Sequence, residues 1–585
     1  MYQEKSHNVK KDQRHLLLCS GLFLITILVF IPACPAADIP AEPVYLHILA
    51  VNDFHGQDIP GETFNGSPVG SIPVLSAYLH DAISEYGNNS TIIALPGDMT
   101  GASPAQSGLL LDEPAILFFN GFVRSGWNSP KDSDPTGVRV VATIGNHEFD
   151  RNLSELNRLI KGGNGDTNIT HLVDPYPGAF WPVIASNVYI NHTDKLLYPA
   201  YSVQEVNGIP VGFIGAVTID TVELSKASDV AGVSFADEAE SINKQVEALQ
   251  KQKIHSFVIL LHEGGNQTPY SGQTEESGDL TGRVLDIVSA LDEDVDVVLS
   301  AHTHEFTNNY TPNAGGKPTL VTQADSYGEA YADINLTLDP VSKDIISKTA
   351  SIIPAYADRW PGSNPDAGAE DLLNATLVAA DPFLNNVITY TDEPITRNLT
   401  ENGESALYDL FTDSMRWEMN TDMAVTNIGS LRADIEAGNI TTGDVYTVLP
   451  FSDQVLTVNM TGKQIKELLI QQWTRTVKPD HYLQISGFSY AYDPSLDPED
   501  RIINITKDGK EIDMNTNYSI AAQDFLAYGG DGYSEMENGT IIDRGPVDVD
   551  TFISYLEFLP SPVNIKTGGR IIPVGNISVH ESADG

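Results

Sequence analysis

The chain has 585 residues, with 79 Asp and Glu against 33 Lys and Arg, and a formal net charge of −46. A surface this acidic argues against binding of nucleic acid or anionic lipid through a basic patch. An anionic ligand must therefore be attracted by local positive charge, from bound cations or from individual arginines. The length predicts roughly two to four domains, and a hydrophobic content of 41% is ordinary for a globular core.

The first 37 residues are predicted to be a targeting segment rather than part of a folded domain. Four Lys and Arg residues precede an apolar run from Leu16 to Ile31, a pattern typical of a signal peptide or membrane anchor. Three outcomes stay open: cleavage after small residues near Ala37, lipidation of Cys34 in a lipobox-like sequence, or an uncleaved anchor. Each predicts export, to an extracellular, periplasmic or cell-surface location. Both cysteines, Cys19 and Cys34, lie in this segment, so the rest of the chain has no thiolate metal ligand.

Five apolar runs are each followed at once by residues that can bind a metal ion. The runs are Leu46–Val51, Thr91–Leu95, Val138–Ala142, Ser256–Leu261 and Val295–Leu299, and they lead into Asn52–Gly56, Pro96–Asp98, Thr143–Asp150, His262–Gly265 and Ser300–His304. Helical patterns between the runs predict α/β layers. In such sheets ligands bind beyond the carboxyl ends of the strands, so the five ends are expected to converge on one site. If the chain stays extended there, Asp-x-His and His-x-His each place two ligands on the same side.

The helices and the linker are predicted from periodicity and breaker residues. Helical stretches are expected at Val69–Tyr86, Glu155–Ile160, Ala236–Gln252 and Thr281–Leu291. A cluster of Pro, Gly, Ser and Asn between residues 354 and 365 then interrupts the pattern, and a short helix is expected over Asp366–Ala380.

The five polar blocks resemble those of the calcineurin-like metallophosphoesterases, and specifically of the 5′-nucleotidase family. The second half resembles the C-terminal domain of that family, through the stretches Thr426–Arg432, Gly443–Tyr446, Leu449–Asp453, Met460–Ile465, Leu483–Gly487 and Asp524–Tyr533. The resemblance implies an α/β, four-layered metallophosphoesterase sandwich followed by a smaller α+β substrate-binding domain. The expected boundaries are 38–353 for the catalytic domain, 354–386 for a linker with a helix, 387–559 for the second domain and 560–585 for a tail.

The resemblance also implies a centre of two divalent metal ions, Zn, Mn or similar, which would attack phosphate esters with a bound hydroxide. One ion would be held by Asp53, His55, Asp98 and His304, and the other by Asp98, Asn146, His262 and His302. His147 would stabilise the transferring phosphoryl group or the leaving oxygen, and Asp150 would orient its ring.

Substrate contacts are expected from the second domain. By the resemblance, Phe451 and Phe525 sandwich the base, Asn427 and Asp531 contact the base or ribose, and Arg432 grips phosphate. Arg397 falls near a further phosphate-binding arginine of the family. Glu401 stands where the family has another arginine, which weakens the positive clamp.

The predicted function is an exported phosphohydrolase that acts on nucleoside 5′-monophosphates and related nucleotides. The nucleotide is the expected partner, without nucleic acid, and with membrane contact only through the N-terminal segment. His304 stands where nucleotide-specific members often carry Asn or Gln. This keeps open a 2′,3′-cyclic-nucleotide phosphodiesterase and 3′-nucleotidase, or a nucleotide-sugar hydrolase, on the same fold. A non-enzymatic cell-envelope protein is the alternative from another class.

Overall fold

Strands and helices alternate through the first half of the chain, as its apolar runs predict. The computed structural model describes residues 42–59, 62–124, 126–165, 170–225, 227–267, 272–274, 280–451, 453–475 and 482–574. The predicted targeting segment, with Cys19 and Cys34, lies outside these residues. From Glu42 onward the described residues form one compact unit. Within those ranges, no helix has both the length and the apolar character needed to cross a bilayer.

The first half runs as far as Pro354. In the described part of the chain its strands are β1 (Val44–Ala50), β2 (Glu62–Phe64), β3 (Ser67–Val69), β4 (Thr91–Leu95), β5 (Arg139–Thr143), β6 (Val183–Ile184), β7 (Val188–Ile190), β8 (Tyr201–Val206), β9 (Ile209–Val217), β10 (Val233–Phe235), β11 (Phe257–His262), β12 (Val295–Ser300), β13 (Phe306–Pro312), β14 (Pro318–Ala324), β15 (Ala330–Leu338) and β16 (Ile345–Pro354). Its helices are α1 (Ile72–Tyr86), α2 (Ala105–Gly108), α3 (Glu113–Val123), α4 (Asn152–Lys161), α5 (Thr221–Leu224), α6 (Ala227–Val230), α7 (Glu238–Gln250) and α8 (Arg283–Ala290).

Two sheets face each other in this half. Among the described residues, one sheet has the order β16-β15-β1-β4-β5-β6 and the other the order β13-β14-β12-β11-β9-β8. Side chains from both sheets, such as Ile48, Phe213 and Leu260, form the core between them. Helices α1 and α3 cover the outer face of the first sheet, and α7 and α8 cover that of the second. The predicted four-layered α/β sandwich is therefore confirmed.

The apolar runs form central strands because both of their faces are covered. Every residue of β4 and of β11 is buried, which explains why these runs are continuously apolar rather than alternating. The helix predicted over Val69–Tyr86 begins at Ile72, since Val69 belongs to β3 and Pro73 suits a first helical turn.

Helix α9 (Ala367–Leu384) follows the breaker cluster and joins the two halves. The Asp366 side chain accepts a hydrogen bond from the Ala369 amide at 2.8 Å, which starts the helix at the predicted place. The helix continues four residues beyond the predicted end at Ala380. Its buried residues Leu372 and Ala369 pack into the core under α1 and α3.

The second half is a smaller mixed domain. In the described residues its strands are β17 (Val387–Thr391), β18 (Met423–Asn427), β19 (Gly438–Thr441), β20 (Gln454–Thr461), β21 (Leu483–Ser486), β22 (Ser489–Tyr492), β23 (Ile502–Lys507), β24 (Lys510–Glu511), β25 (Asn517–Gln523), β26 (Thr540–Val547) and β27 (Ile571–Pro573). Its helices are α10 (Ala406–Met419), α11 (Thr442–Val448), α12 (Gly462–Thr474), α13 (Asp524–Ala527) and α14 (Asp548–Phe558). The central sheet has the order β21-β18-β25-β20-β26, with α10 and α14 on one face and α12 on the other.

The segment after residue 559 differs from the expected tail. Residues of β27 pair in parallel with β22, so Ile571 lies opposite Tyr490. The preceding Arg570 lies 2.8 Å from a carboxylate oxygen of Asp413. The predicted domain boundary at residue 559 is therefore too early, because a strand distant in sequence completes a sheet of the second half.

Candidate active site

The strand ends that carry the predicted ligands lie next to one another. Strands β1, β4 and β5 are parallel neighbours in one sheet, as are β11 and β12 in the other. Two groups of ligand atoms form beyond these ends, and the atoms within each group lie within 4.8 Å of one another. The first group contains Asp53, His55 and His304, and the second contains Asp98, His262 and His302.

The main chain of these residues is strained. The φ angle is 46° at Asp53, 51° at His55, 51° at Asp98, 79° at His302 and 55° at His304. Non-glycine residues rarely adopt this left-handed region, at a cost on the order of 1–3 kcal/mol each. The expectation that Asp-x-His and His-x-His extend the strands is therefore wrong, because both pairs lie in turns past the strand ends. As a result, His302 and His304 reach different groups.

In the first group, His55 has an unprotonated ring nitrogen that faces inward. His55 Nδ1 donates to the carbonyl oxygen of Gly101 at 2.8 Å, which leaves Nε2 unprotonated and 3.2 Å from His304 Nε2. Burial lowers the pKa of His55 to about 3, and burial and the neighbouring His55 hold the pKa of His304 well below its usual range. Burial also raises the pKa of Asp53 to about 7, against the opposing charge of His262.

The second group is arranged around Asp98. His262 Nδ1 donates to the carbonyl oxygen of Pro96 at 3.1 Å, while its Nε2 lies 3.0 Å from Asp98 Oδ2 and 3.1 Å from Asn146 Oδ1. Burial opposes the charge of both partners, yet Asp98 raises the pKa of His262 to about 9, and the facing imidazoles hold the pKa of Asp98 well below its usual range. His55 Nε2 approaches the same Asp98 oxygen at 3.8 Å. Asp98 thus lies between the two groups, where a bridging carboxylate belongs.

Both groups fit divalent cations. In His55 and His262, Nδ1 donates to a main-chain carbonyl, which orients Nε2 inward as in metal-binding histidines. The two groups combine imidazole nitrogens and carboxylate oxygens, with one amide oxygen nearby, a mixture that suits divalent cations.

Glu148 supports this arrangement in a way that the sequence did not indicate. Its carboxylate accepts hydrogen bonds from the main-chain amides of Asp98, Met99 and Thr100 at 2.7–3.2 Å, and of Gly145 at 2.5 Å. These bonds tie the turn after β4 to the turn after β5. Burial, followed by the nearby Asp98, raises the pKa of Glu148 to about 7. Its place in the Gly-Asn-His-Glu sequence was the only available signal.

His147 lies beside the metal-binding groups without joining them. Its Nδ1 donates to Asp150 Oδ2 at 2.9 Å, and its main-chain amide donates to Asp98 Oδ1 at 2.9 Å. Burial lowers the pKa of His147, but Asp150 and Asp98 outweigh burial and raise it above the ordinary value. The ring of Phe451, from the second half, stacks on the His147 ring with centroids 5.8 Å apart.

An open cavity of about 90 Å³ connects this region with the second half. Both halves line it, with Asn146, His147, Asp150, Leu224 and Ser225 from the first and Asn427, Gly429, Ser430, Arg432, Phe451, Asp453, Phe525 and Asp531 from the second. Asn427 Nδ2 donates to Asp531 Oδ2 at 2.5 Å. Gly530 is required beside Phe525, since a Cβ there would lie 2.6 Å from its ring.

The two arginines expected at the phosphate have different surroundings. Arg432 lies in the cavity, and its guanidinium donates to the Tyr327 hydroxyl at 3.4 Å, across the two halves. Tyr327, which the sequence did not single out, also contacts the rings of His55 and His304. Arg397 is absent from the described cavity lining, because it pairs with Asp434 at 3.0 Å at an exposed position.

Comparison with known proteins agrees with this architecture. The calcineurin-like phosphoesterase family model matches residues 46–306, and the 5′-nucleotidase C-terminal domain model matches residues 386–538. The crystal structure of a 5′-nucleotidase precursor from Thermus thermophilus superposes with a TM-score of 0.71 at 25% identity, covering 91% of this chain and 100% of that one.

Two sequence relatives are longer than this chain. Endonuclease YhcR of Bacillus subtilis is 29% identical over 542 residues, and cell wall protein Lmo0130 of Listeria monocytogenes is 30% identical over 601 residues. The alignments cover 91% and 96% of this chain, but only 41% of the first relative and 72% of the second. With both family models matched in the expected order, the chain belongs to the 5′-nucleotidase family of metal-dependent phosphoesterases.

Proposed function

We propose that the chain is an exported phosphohydrolase that removes phosphate from nucleoside 5′-monophosphates, with related nucleotides as further substrates. One observation carries this proposal: a single cavity extends from Asn146 and His147 to Phe451 and Phe525. It is lined by His147 and Arg432, which suit a phosphate, and by two aromatic rings, of which Phe451 stacks on the His147 ring. Stacking on aromatic rings suits a nucleobase of any kind.

At the phosphate end, this chain's residues bind the substrate and move a proton. The proposed ligands are Asp53, His55, Asp98, Asn146, His262, His302 and His304. Divalent cations bound to them supply Lewis acidity toward the phosphate oxygens. Arg432 adds a guanidinium from the second half, which suits a phosphate oxygen pair.

His147 is the proposed proton donor. Its Nδ1 is bonded to Asp150, so Nε2 is the atom that holds the proton to be donated. The raised pKa increases the protonated fraction near neutral pH. As water adds to the phosphorus and the ester bond breaks, a proton from Nε2 neutralises the leaving ribose oxygen.

At the other end, Asp531 and Asn427 bind the ribose. Both side chains are buried, and Asp531 has left-handed main chain with φ of 53°. Their mutual hydrogen bond fixes Asp531 so that its carboxylate faces the cavity as an acceptor for ribose hydroxyls.

A phosphodiesterase is the second candidate function. His304 gives the first group an imidazole where nucleotide-specific members often carry an amide, and one relative of this chain is named an endonuclease. Cyclic nucleotides and nucleotide sugars contain the corresponding diester or pyrophosphate bond.

Assays of the metal-loaded protein on a panel of substrates distinguish the two candidate functions. Phosphate release is measured from AMP, GMP, CMP and UMP, and hydrolysis from 2′,3′-cyclic AMP, UDP-glucose and single-stranded DNA. The proposal predicts the highest kcat/KM for the 5′-monophosphates and loss of activity in chelator. Preference for a diester, with the monophosphates poor, favours the second function.

Export rests on the N-terminal segment and on the relative named as a cell wall protein. The test is fractionation of a bacterial host that expresses the full chain, with mass spectrometry of the mature N-terminus. A Cys34→Ala variant separates lipidation from simple cleavage. Protein found only in the cytosol, with an intact N-terminus, contradicts export.

A further inference from the structure

One hydrogen bond joins the two halves of the chain beside the metal-binding groups. The Arg432 guanidinium, from the second half, donates to the hydroxyl oxygen of Tyr327, from the first half, at 3.4 Å. Arg432 is the only Lys or Arg among the described residues that line the cavity. In a chain with a net charge of −46, the placement of this guanidinium therefore matters for any anion that binds there.

Tyr327 is fixed by its contacts with the turns that carry the first metal-binding group. Its main-chain amide donates to the carbonyl oxygen of Asp53 at 2.8 Å. Its ring contacts the rings of His55 and His304, with centroids 5.6 and 5.3 Å away. The next residue is Gly328, where a Cβ would lie 3.1 Å from a core side chain, so the loop is closely packed. The Tyr327 hydroxyl thus keeps a set position relative to the proposed metal ligands.

Arg432 reaches this hydroxyl on a long side chain from the second half. Its main-chain amide donates to the carbonyl oxygen of Val448 at 2.9 Å, and its guanidinium carbon lies 5.8 Å from the centroid of the Phe451 ring. Within the described part of the chain, the Tyr327 hydroxyl is the only side-chain oxygen to which this guanidinium donates. An arginine has several rotatable bonds, and ordering them when a ligand binds costs free energy.

We propose that Tyr327 is a positioning residue for phosphate binding, whose hydroxyl holds the Arg432 guanidinium at a set place beside the metal-binding groups. This inference rests on the proposed function, in which Arg432 binds the substrate phosphate. A guanidinium that is already ordered loses less conformational entropy when the phosphate arrives. Phenylalanine at this position keeps the ring and removes only the hydroxyl oxygen, so that substitution tests the hydrogen bond by itself.

The test measures the dissociation constant of inorganic phosphate by titration calorimetry on the metal-loaded wild type, Tyr327→Phe, Arg432→Ala and the double variant. Tyr327→Phe should weaken phosphate binding by roughly three- to ten-fold, the cost of ordering one long side chain on binding. Arg432→Ala should weaken it at least as much. The double variant should bind phosphate as Arg432→Ala does, because the hydroxyl acts through the guanidinium. With AMP, KM should rise in Tyr327→Phe while kcat stays within about two-fold of wild type, as for a contact made equally before and during the reaction.

Tyr78→Phe is the matched control. The Tyr78 hydroxyl donates to the carbonyl oxygen of Tyr356 at 3.3 Å, a bond of similar length between residues outside the described cavity lining. This variant should bind phosphate as the wild type does. Elemental analysis of Tyr327→Phe should show the wild-type metal content, since the ring that contacts His55 and His304 is retained.

Unchanged phosphate binding in Tyr327→Phe would overturn the inference, as would a fall in kcat at unchanged KM. A further loss of phosphate affinity in the double variant, relative to Arg432→Ala, would show that Tyr327 acts independently of Arg432. Loss of metal from Tyr327→Phe would assign the effect to the metal-binding groups and also contradict the inference. A wild type that shows the expected phosphate binding pattern but hydrolyses no nucleotide contradicts the proposed function, while the role of Tyr327 toward phosphate is still supported.

Discussion

Among single side chains, His147 differs from the proposed metal ligands in where its ring nitrogens lie. One nitrogen is bonded to Asp150, and the ring contacts Phe451 in the cavity. His55 and His262 instead bond main-chain carbonyls through Nδ1 and turn Nε2 toward the two groups. This difference separates binding of the cations from proton transfer.

We therefore expect His147→Ala to keep its metal and lose turnover. Removal of a general acid reduces kcat by roughly 10²- to 10⁴-fold. Elemental analysis of the purified variant should show the wild-type metal content, whereas Asp98→Ala should lose metal from both groups. A parallel fall in metal content and activity in His147→Ala would assign His147 as a ligand.

Asp58 gives a pH dependence that is independent of the metal centre. It is buried, accepts a hydrogen bond from Gln106 Nε2 at 2.5 Å, and has no partner at Oδ2 among the described residues. Burial raises its pKa to about 7, against about 3.9 in an unfolded chain. The folded protein therefore holds a proton between pH 4 and 7 that the unfolded chain releases, so stability falls as pH rises through this window.

Asp58→Asn cannot ionise and should remove this loss. We expect its melting temperature to exceed that of the wild type at pH 8, by about 1–4 °C for a chain of this length, and to differ little at pH 4.5. The measurement is calorimetry in chelator, which removes the contribution of bound cations, with Asp543→Asn as the exposed control. An equal shift at both pH values would show that ionisation of Asp58 does not limit stability.

At the scale of elements, Arg570 and β27 connect the end of the described chain to the second half. The guanidinium lies 2.8 Å from Asp413 and 3.4 Å from Asp409, and Glu404 accepts from the amides of Gly569 and Ile571 at 3.0 Å. Glu404 and Asp409 are each 2% exposed. Loss of Arg570 would leave the buried carboxylate of Asp409 without its cation.

Arg570→Ala should therefore destabilise the protein by about 3 kcal/mol, as expected for breaking a buried ion pair from one side. Arg397→Ala is the matched control, because its pair with Asp434 is exposed and such pairs contribute less than about 1 kcal/mol. Thermal unfolding of the two variants measures the difference. Equal, small effects would mean that water replaces Arg570 at the carboxylates.

The sequence predicted the elements well where they are locally encoded. The strand Thr91–Leu95 has the predicted bounds, since its apolar run ends at a proline and a glycine. Prediction from the sequence failed where strands far apart in the chain pair with each other, as β27 does with β22, because no residue near Ile571 indicates its partner. The left-handed turns at Asp53 and His302 were missed for a similar reason: Asp and His tolerate that conformation but do not by themselves require it.

The candidate site shows the same limit. The polar residues at the strand ends are enough to predict which residue types bind the metal ions. The role of Glu148 cannot be predicted in this way, because its partners are main-chain amides from a turn about 50 residues earlier. Tyr327 was missed because its importance lies in its contact with Arg432, which the other half of the chain brings near it.

For the whole molecule, the cavity predicts that the two halves contribute separately to one reaction. Phe451→Ala with Phe525→Ala should lower kcat/KM for a nucleotide, at on the order of 1–3 kcal/mol per lost stack. Hydrolysis of p-nitrophenyl phosphate should stay nearly unchanged, since this ester has no base to stack between the rings. Equal losses on both substrates would identify the two rings as structural, and the nucleotide would no longer be the proposed substrate.

The continuity of the cavity also governs what happens after the reaction. In the proposed function, a nucleoside monophosphate contacts both halves at once, so its second contact is made at a high effective concentration, on the order of millimolar for short flexible links. Hydrolysis cuts that link and leaves phosphate at one end and a nucleoside at the other. Each product is then held by one set of contacts and dissociates independently. The avidity that captures the substrate is thus removed by the bond cleavage itself, which favours release of both products over their retention.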